Sequence, residues 1–508
     1  MQQQPADLLV IGGGVNGTGI ARDAAGRGLS VILAERGDLA GATSQAATKL
    51  IHGGLRYLEQ YEFRLVREAL GEREVLLRLA PHIIWPLRFV LPHHPGLRPA
   101  WMIRIGLFLY DHLASRVSLP GSIGLALTGD PRGAPLKPHF KRGFEYSDGW
   151  VDDARLVVLN AMSARELGAE IHVRTAVTAA RRENGFWHAT LVDQHSGASR
   201  DVKARGIVNA AGPWVRDLLV SGFGRQPKNS VRLIKGSHIV TRKLFEGEHC
   251  YIFQNADGRV LFAIPYEHDY TLIGTTDVAL DKLDGPPAIS EAETSYLLEA
   301  ASEYFAKPVE RADIVWSYAG VRPLYDDGEN DPSAITRDYV LDLESDVAPL
   351  LSVYGGKLTT YRRLSEHAVD KLKPFYPQMR GAWTAGKALP GGEIGDFEAF
   401  LADLTRRHPG FDAAWLRQLA RRHGGHCDAI LGQATSTADL GEFFGAGLYA
   451  AEVDWLMRRE WAVDADDVLW RRTKCGLNMS AAQRERLQTW MQTHRPNQTG
   501  QADGMQQP

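Results

Sequence analysis

The sequence predicts an α/β fold in three parts: a Rossmann-like nucleotide-binding domain, an antiparallel β substrate domain and a helical C-terminal domain. Three observations predict it. An apolar run, Leu8-Leu9-Val10-Ile11, breaks into Gly12, Gly13, Gly14 and Gly17. A second apolar run, Val31-Ile32-Leu33-Ala34, ends at Glu35. Much later, short strands separated by turn residues give way, beyond Leu389-Pro390-Gly391-Gly392, to helical patterning.

The opening elements follow the order strand, glycine turn, helix over residues 18–28, strand and acid. Gly12 permits a tight turn, Gly14 lets the backbone approach a pyrophosphate, and Gly17 lets the helix pack closely on the strand. The helix N-terminus then faces the phosphates. Glu35 is placed to accept hydrogen bonds from a ribose 2′-hydroxyl and would repel a 2′-phosphate, so FAD or NAD is expected.

A chain of 508 residues calls for two or three domains. Its 58 basic and 61 acidic residues nearly cancel, which provides no global field for nucleic acid. Cys250, Cys427 and Cys475 lie far apart and form no metal or disulfide pattern, so buried thiols are expected and no metal site. The first residues carry neither a basic start nor an apolar signal core, and a cytoplasmic protein is expected. Residues 101–110 are apolar apart from Arg104 and too short to span a bilayer. Such a helix is usually buried in a core or dimer; the alternative is a helix lying in a membrane surface.

Residues 62–80 read as an amphipathic helix ended by Pro81, completing a first portion of the nucleotide-binding domain over 1–80. Residues 81–150, rich in proline, glycine and histidine, read as a connecting and cap segment, with His93 and His94 in a solvated turn. The domain resumes over 151–230 with a helix at 152–167, a strand at 170–173 and a hairpin turning at Glu183-Asn184-Gly185. Residues 231–345 form the antiparallel β substrate domain, and 346–388 return to the first domain. Residues 389–494 make the helical C-terminal domain, with a capping box at Ser480 and Gln483, and the polar tail 495–508 is expected to be disordered.

Three glycine-rich segments, around Gly12, Gly212 and Gly356, suggest one extended cofactor clasped at several points, which suits FAD better than NAD. Thr43, Ser44 and Lys49, in a hydroxyl-rich stretch after Glu35, are candidate contacts to its pyrophosphate and ribityl chain. His52 and Gly53 follow in the same cofactor-side loop, and Gly356, Lys357, Leu358 and Thr359 lie near the flavin end. Arg56, Arg322, Arg337 and Lys357 sit in otherwise uncharged or aromatic contexts and suit a small anion such as phosphate. Oxidation of a hydroxyl needs a base of near-neutral pKa, for which His238 is preferred over His52. No hydrolase, zincin or Walker A motif is present.

Val10-Ile11-Gly12-Gly13-Gly14, Lys49-Leu50-Ile51-His52-Gly53-Gly54-Leu55-Arg56-Tyr57, Phe144-Glu145-Tyr146-Ser147-Asp148, Gly212-Pro213-Trp214, Gly274-Thr275-Thr276-Asp277 and residues 352–361 together resemble the FAD-dependent glycerol-3-phosphate dehydrogenases that feed electrons to quinone. The resemblance implies a nucleotide-binding fold of the D-amino-acid-oxidase type and oxidation of sn-glycerol 3-phosphate to dihydroxyacetone phosphate. It also implies a peripheral, dimeric protein on the inner face of the cell membrane, which favours a membrane-facing apolar surface. It assigns His238, Arg337 and Lys357 to catalysis, and Arg56, Tyr57, Thr275, Arg322 and Arg337 to substrate. Competing expectations are a same-fold oxidase that releases peroxide, a flavin-dependent RNA-modifying protein and a catalytically silent FAD-binding partner.

Overall fold

The computed structural model describes residues 4–114, 117–326 and 338–495. The expected tail, from 496, lies outside them. The first sheet runs Val340–Glu344, Leu350–Tyr354, Ser199–Asn209, Ala6–Ile11, Val31–Ala34, Glu170–His172. All neighbours are parallel except the first pair. Leu8, Leu9, Val10 and Leu33 are wholly buried, as the interior of a parallel sheet covered on both faces requires. Helices Val15–Gly26, Asp153–Glu166 and Tyr361–Leu372 share one core with this sheet. The expected hairpin forms from Thr175–Glu183 and Phe186–Asp193, with Asn184 and Gly185 both at positive φ.

The second sheet has ten strands and contains the expected meander: Val231–Arg242, Cys250–Gln254, Val260–Tyr266 and Tyr270–Gly274. It also contains two long strands from the segment read as connections. Ile84–His93 and Arg142–Val151 pair antiparallel over their full length. That reading of 81–150 is therefore corrected: much of the segment belongs to the substrate-side sheet. Pro86 and Pro92, which obscured the strand pattern, flank Phe89 and Val90, where the strand pairs on its other edge. His93 ends this strand, buried, with Nε2 bonded to the Arg98 carbonyl, and is not part of a solvated turn.

Helix Ala100–His112 is not buried in a core of this chain, which corrects that half of the expected core or dimer helix. Leu107 and Tyr110 face inward, whereas Trp101, Met102, Ile105, Phe108 and Leu109 are exposed, Trp101 by 64%. The C-terminal domain packs helices Phe397–Arg407, Ala413–His423, Ala450–Arg459 and Ala481–Thr493 around two cores, and the capping box at Ser480 is present. Buried ion pairs Arg155–Glu460, Arg472–Asp38 and Lys474–Asp152 fasten it to the first domain. All three cysteines are buried and unlinked.

Candidate active site

A cavity of about 840 Å³ runs from the C-terminal ends of the parallel strands to the face of the antiparallel sheet. At its first end, Glu35 accepts from the backbone N–H of Gly13 and Gly37, each at 2.6 Å, which fixes its carboxylate at the cavity wall. Gly12 has φ of +114°, and a Cβ on Gly17 would lie 1.9 Å from the Gly12 carbonyl oxygen. The helix behind this turn begins at Val15 with no side-chain cap and no acid in its first turn, leaving it suited to an anion. Thr43 and Ser44 line the cavity. The Thr43 hydroxyl donates to the Val321 carbonyl at 2.6 Å, and Ser44 Oγ accepts from the Val15 N–H at 3.0 Å. These features fit a dinucleotide pyrophosphate.

Gly212, Gly356, Lys357, Leu358 and Thr359 line the cavity further in. The Asn16 amide donates to the Gly355 carbonyl at 3.2 Å, joining the first glycine turn to the last. The Lys357 ammonium stands 3.9 Å from the Tyr57 ring centroid, and the His52 N–H donates to Thr359 Oγ1 at 3.2 Å. A cationic side chain here suits a ring system that gains negative charge on reduction.

At the far end the antiparallel sheet presents His238, Thr275 and Arg322. His238 stands opposite Gly274 on one side and Tyr318 on the other. A Cβ on Gly274 would lie 2.0 Å from the imidazole, so glycine is needed beside the ring. One ring nitrogen, Nε2, bonds Thr48 Oγ1 at 3.0 Å, while Nδ1 is buried without a hydrogen-bond partner among the described residues. Burial, together with the charges of Arg322 and Lys49, holds the His238 pKa well below that of free histidine, so the ring is neutral. Burial lowers His52 as well. Arg322 donates to Asp277 Oδ1 at 2.6 Å and to the Thr276 carbonyl at 2.8 Å, which fixes its guanidinium at the wall.

Two sequence candidates are placed elsewhere. Lys49 is buried away from the cavity, its ammonium held by Asp153 Oδ1 at 2.7 Å, and therefore acts as a strut under the loop. Gly53 packs outward, its N–H bonded to the Tyr110 hydroxyl at 2.8 Å. Arg337 and the side chain of Arg56 lie outside the described residues. Sequence reasoning missed Asn16, Asp277 and Tyr318, and placed Thr48 in the hydroxyl-rich stretch along the cofactor without its bond to His238; Asp277 was within reach, because it closes the quoted Gly274-Thr275-Thr276-Asp277 run.

The parallel sheet, the glycine turns and the cavity define a dinucleotide-dependent oxidoreductase, and the family profile described as FAD dependent oxidoreductase matches residues 7–362. The C-terminal domain of alpha-glycerophosphate oxidase matches 382–495. A glycerol-3-phosphate dehydrogenase of Pseudomonas aeruginosa is 55% identical over 494 residues, covering 97% of this chain and 96% of its own. A D-erythritol 1-phosphate dehydrogenase of Brucella abortus is 51% identical over 492 residues, covering 96% and 98%. The structure of a glycerol-3-phosphate dehydrogenase from Bacillus halodurans complexed with FAD superposes with a TM-score of 0.75 at 27% identity, covering 97% of this chain and 95% of that one. The chain belongs to the FAD-dependent glycerol-3-phosphate dehydrogenase family, with a fold of the D-amino-acid-oxidase type and FAD as its cofactor.

Proposed function

We propose that the protein oxidises sn-glycerol 3-phosphate to dihydroxyacetone phosphate and passes the electrons to a quinone at a membrane surface. The observation that carries this reading is the meeting of a buried, neutral His238 with Arg322 in a cavity built for FAD, whose wall also carries Lys357. When bound, FAD supplies at N5 the acceptor for the hydride that leaves C2. His238 takes the hydroxyl proton, for which a neutral imidazole at the cavity wall is prepared. Arg322 supports the phosphate, with Thr275 and Tyr57 lining the cavity; the resemblance adds Arg56 and Arg337 to this set.

Anaerobic mixing of the holoprotein with sn-glycerol 3-phosphate should bleach the flavin absorbance, whereas glycerol should not. No bleaching would sink the substrate assignment. The 51% identity to a D-erythritol 1-phosphate dehydrogenase supports a second reading, a longer polyol phosphate, which the same experiment compares directly. Electron transfer to a quinone analogue without peroxide release separates the dehydrogenase from an oxidase.

No helix among the described residues is long and apolar enough to cross a membrane. Lipid contact is supported by helix Ala100–His112, whose exposed apolar face is flanked by exposed Arg98 and Arg104. The helix packs beside the turn Leu55–Gln60, next to which Tyr61 is 81% exposed. Replacing Ile105 and Phe108 with Glu should abolish sedimentation with anionic vesicles while leaving flavin reduction intact. The dimer implied by the resemblance is tested by sedimentation velocity.

A further inference from the structure

Among the described residues, none from the C-terminal domain lines the cavity, yet that domain reaches the base. We propose that it seats His238, and that Trp316 and Trp470 are positioning residues for that imidazole; the proposal rests on the reading of His238 as base. Four rings form a continuous column from the C-terminal domain to the cavity. Trp470 stacks on Trp316 at 4.7 Å with an interplanar angle of 17°. Trp316 meets Tyr318 at 5.1 Å, and Tyr318 stacks on His238 at 4.8 Å and 16°.

Strand register produces the middle of this column. Tyr318 stands opposite His238 and Trp316 opposite Val240, so alternate residues of Ile314–Tyr325 bring their rings to one face of the sheet. Trp470 is backed within its own domain by Gly476, where a Cβ would lie 2.7 Å from the indole, and by Arg484 at 5.4 Å.

A second route reaches the edge of the same imidazole. Lys474 pairs with Asp152 at 3.1 Å. The adjacent Asp153 holds Lys49 at 2.7 Å and accepts from the Ala47 N–H at 3.1 Å. Thr48, between those two residues, bonds His238 Nε2. The Tyr318 hydroxyl donates to the Ala47 carbonyl at 2.9 Å, tying the routes together. Thus the C-terminal domain supports both the face of the ring, through Tyr318, and its hydrogen-bonded edge, through Thr48. A base must be held within a fraction of an ångström to act, and packing of this kind supplies that constraint.

The test uses full-length holoprotein variants Trp316→Leu, Trp470→Leu, Trp316→Phe and His238→Ala, with Trp490→Ala as a control that loosens the core on which Trp470 also packs without removing a ring of the column. Flavin reduction by sn-glycerol 3-phosphate is followed anaerobically as a function of pH. The two leucine variants should reduce about tenfold more slowly, with half-saturation changed by less than about twofold. Their acidic limb should move to higher pH, because water reaching the ring relieves the desolvation imposed alongside Arg322 and Lys49. Trp316→Phe should restore most of the rate, and Trp490→Ala should leave the pH profile in place. Unchanged rate and pH profile in either folded, yellow leucine variant, or an equal loss in Trp490→Ala, would overturn the positioning role. Unimpaired reduction in His238→Ala would instead overturn the base assignment, and the proposal with it.

Discussion

The Tyr110 hydroxyl lies 2.8 and 2.9 Å from the two carboxylate oxygens of Asp148, although Tyr110 belongs to a helix whose other face is apolar and exposed. The same phenol accepts from the Gly53 N–H, and Asp148 is paired with Arg73 at 2.7 Å. All three side chains are buried. One polar cluster therefore ties the outer helix to the loop that carries His52.

Tyr110→Phe removes a donor to a buried carboxylate and an acceptor for a buried N–H, and should destabilise the holoprotein by about 1–3 kcal/mol. Asp148→Ala removes the nearest counter-charge of buried Arg73, leaving it the Ser147 carbonyl and the more distant Glu74 at 3.7 Å, and should cost more, about 3–5 kcal/mol. Urea denaturation followed by tryptophan fluorescence measures both. Equal, small effects would mean that the cluster is not coupled as described.

Gly17→Ala places a methyl group where the Gly12 carbonyl stands, 1.9 Å from the new carbon. The first turn and the helix behind it must then separate, which spoils the pyrophosphate cradle while leaving the substrate sheet untouched. The purified variant should contain less than about a tenth of the normal FAD, a loss of about 1.4 kcal/mol or more in cofactor binding. The ratio of flavin to protein absorbance reads this directly.

Gly274→Ala acts at the other end of the cavity. Its Cβ would lie 2.0 Å from the His238 ring, with Tyr318 on the opposite side preventing a simple retreat. The variant should stay yellow, since Gly274 is remote from the first glycine turn. Its flavin should be reduced by sn-glycerol 3-phosphate about a hundredfold more slowly, the scale expected for displacing a catalytic group by an ångström. Normal reduction would show that the imidazole need not stay where it is.

The cofactor half of the molecule was legible because its signals are local. Gly12, Gly17 and Glu35 fall within one βαβ unit, and each has a backbone reason to be what it is. The hairpin turn at Asn184-Gly185 and the cap at Ser480 were legible for the same reason. What escaped depends on partners distant in sequence. Ile84–His93 looks like a proline-broken connection until Arg142–Val151 lies beside it. Lys49 looks like a phosphate ligand until Asp153 claims its charge, and Thr48 and Tyr318 acquire meaning only when a distant loop and a neighbouring strand meet at His238.

Glu267, in the turn between two substrate-sheet strands, gives the interface with the C-terminal domain a pH dependence. Burial first, and then Asp152, raise its pKa to about 7 from 4.5, against the opposing charges of Lys474, Arg422 and Lys49. A carboxyl with a raised folded pKa binds its proton more tightly in the native state. Its favourable contribution is therefore complete below about 4.5 and is lost as pH rises toward 7, above which the folded protein carries a poorly solvated carboxylate. Glu267→Gln keeps the shape and removes that charge. The variant should be more stable than the parent at pH above 7 by about 1–2 kcal/mol, less than the full shift implies because the Glu267 residue is only half-buried. The advantage should shrink as pH falls toward 4.5. Thermal denaturation of both proteins across this range checks the sign: a constant difference, or one that grows on acidification, would show that Glu267 is not the group that titrates.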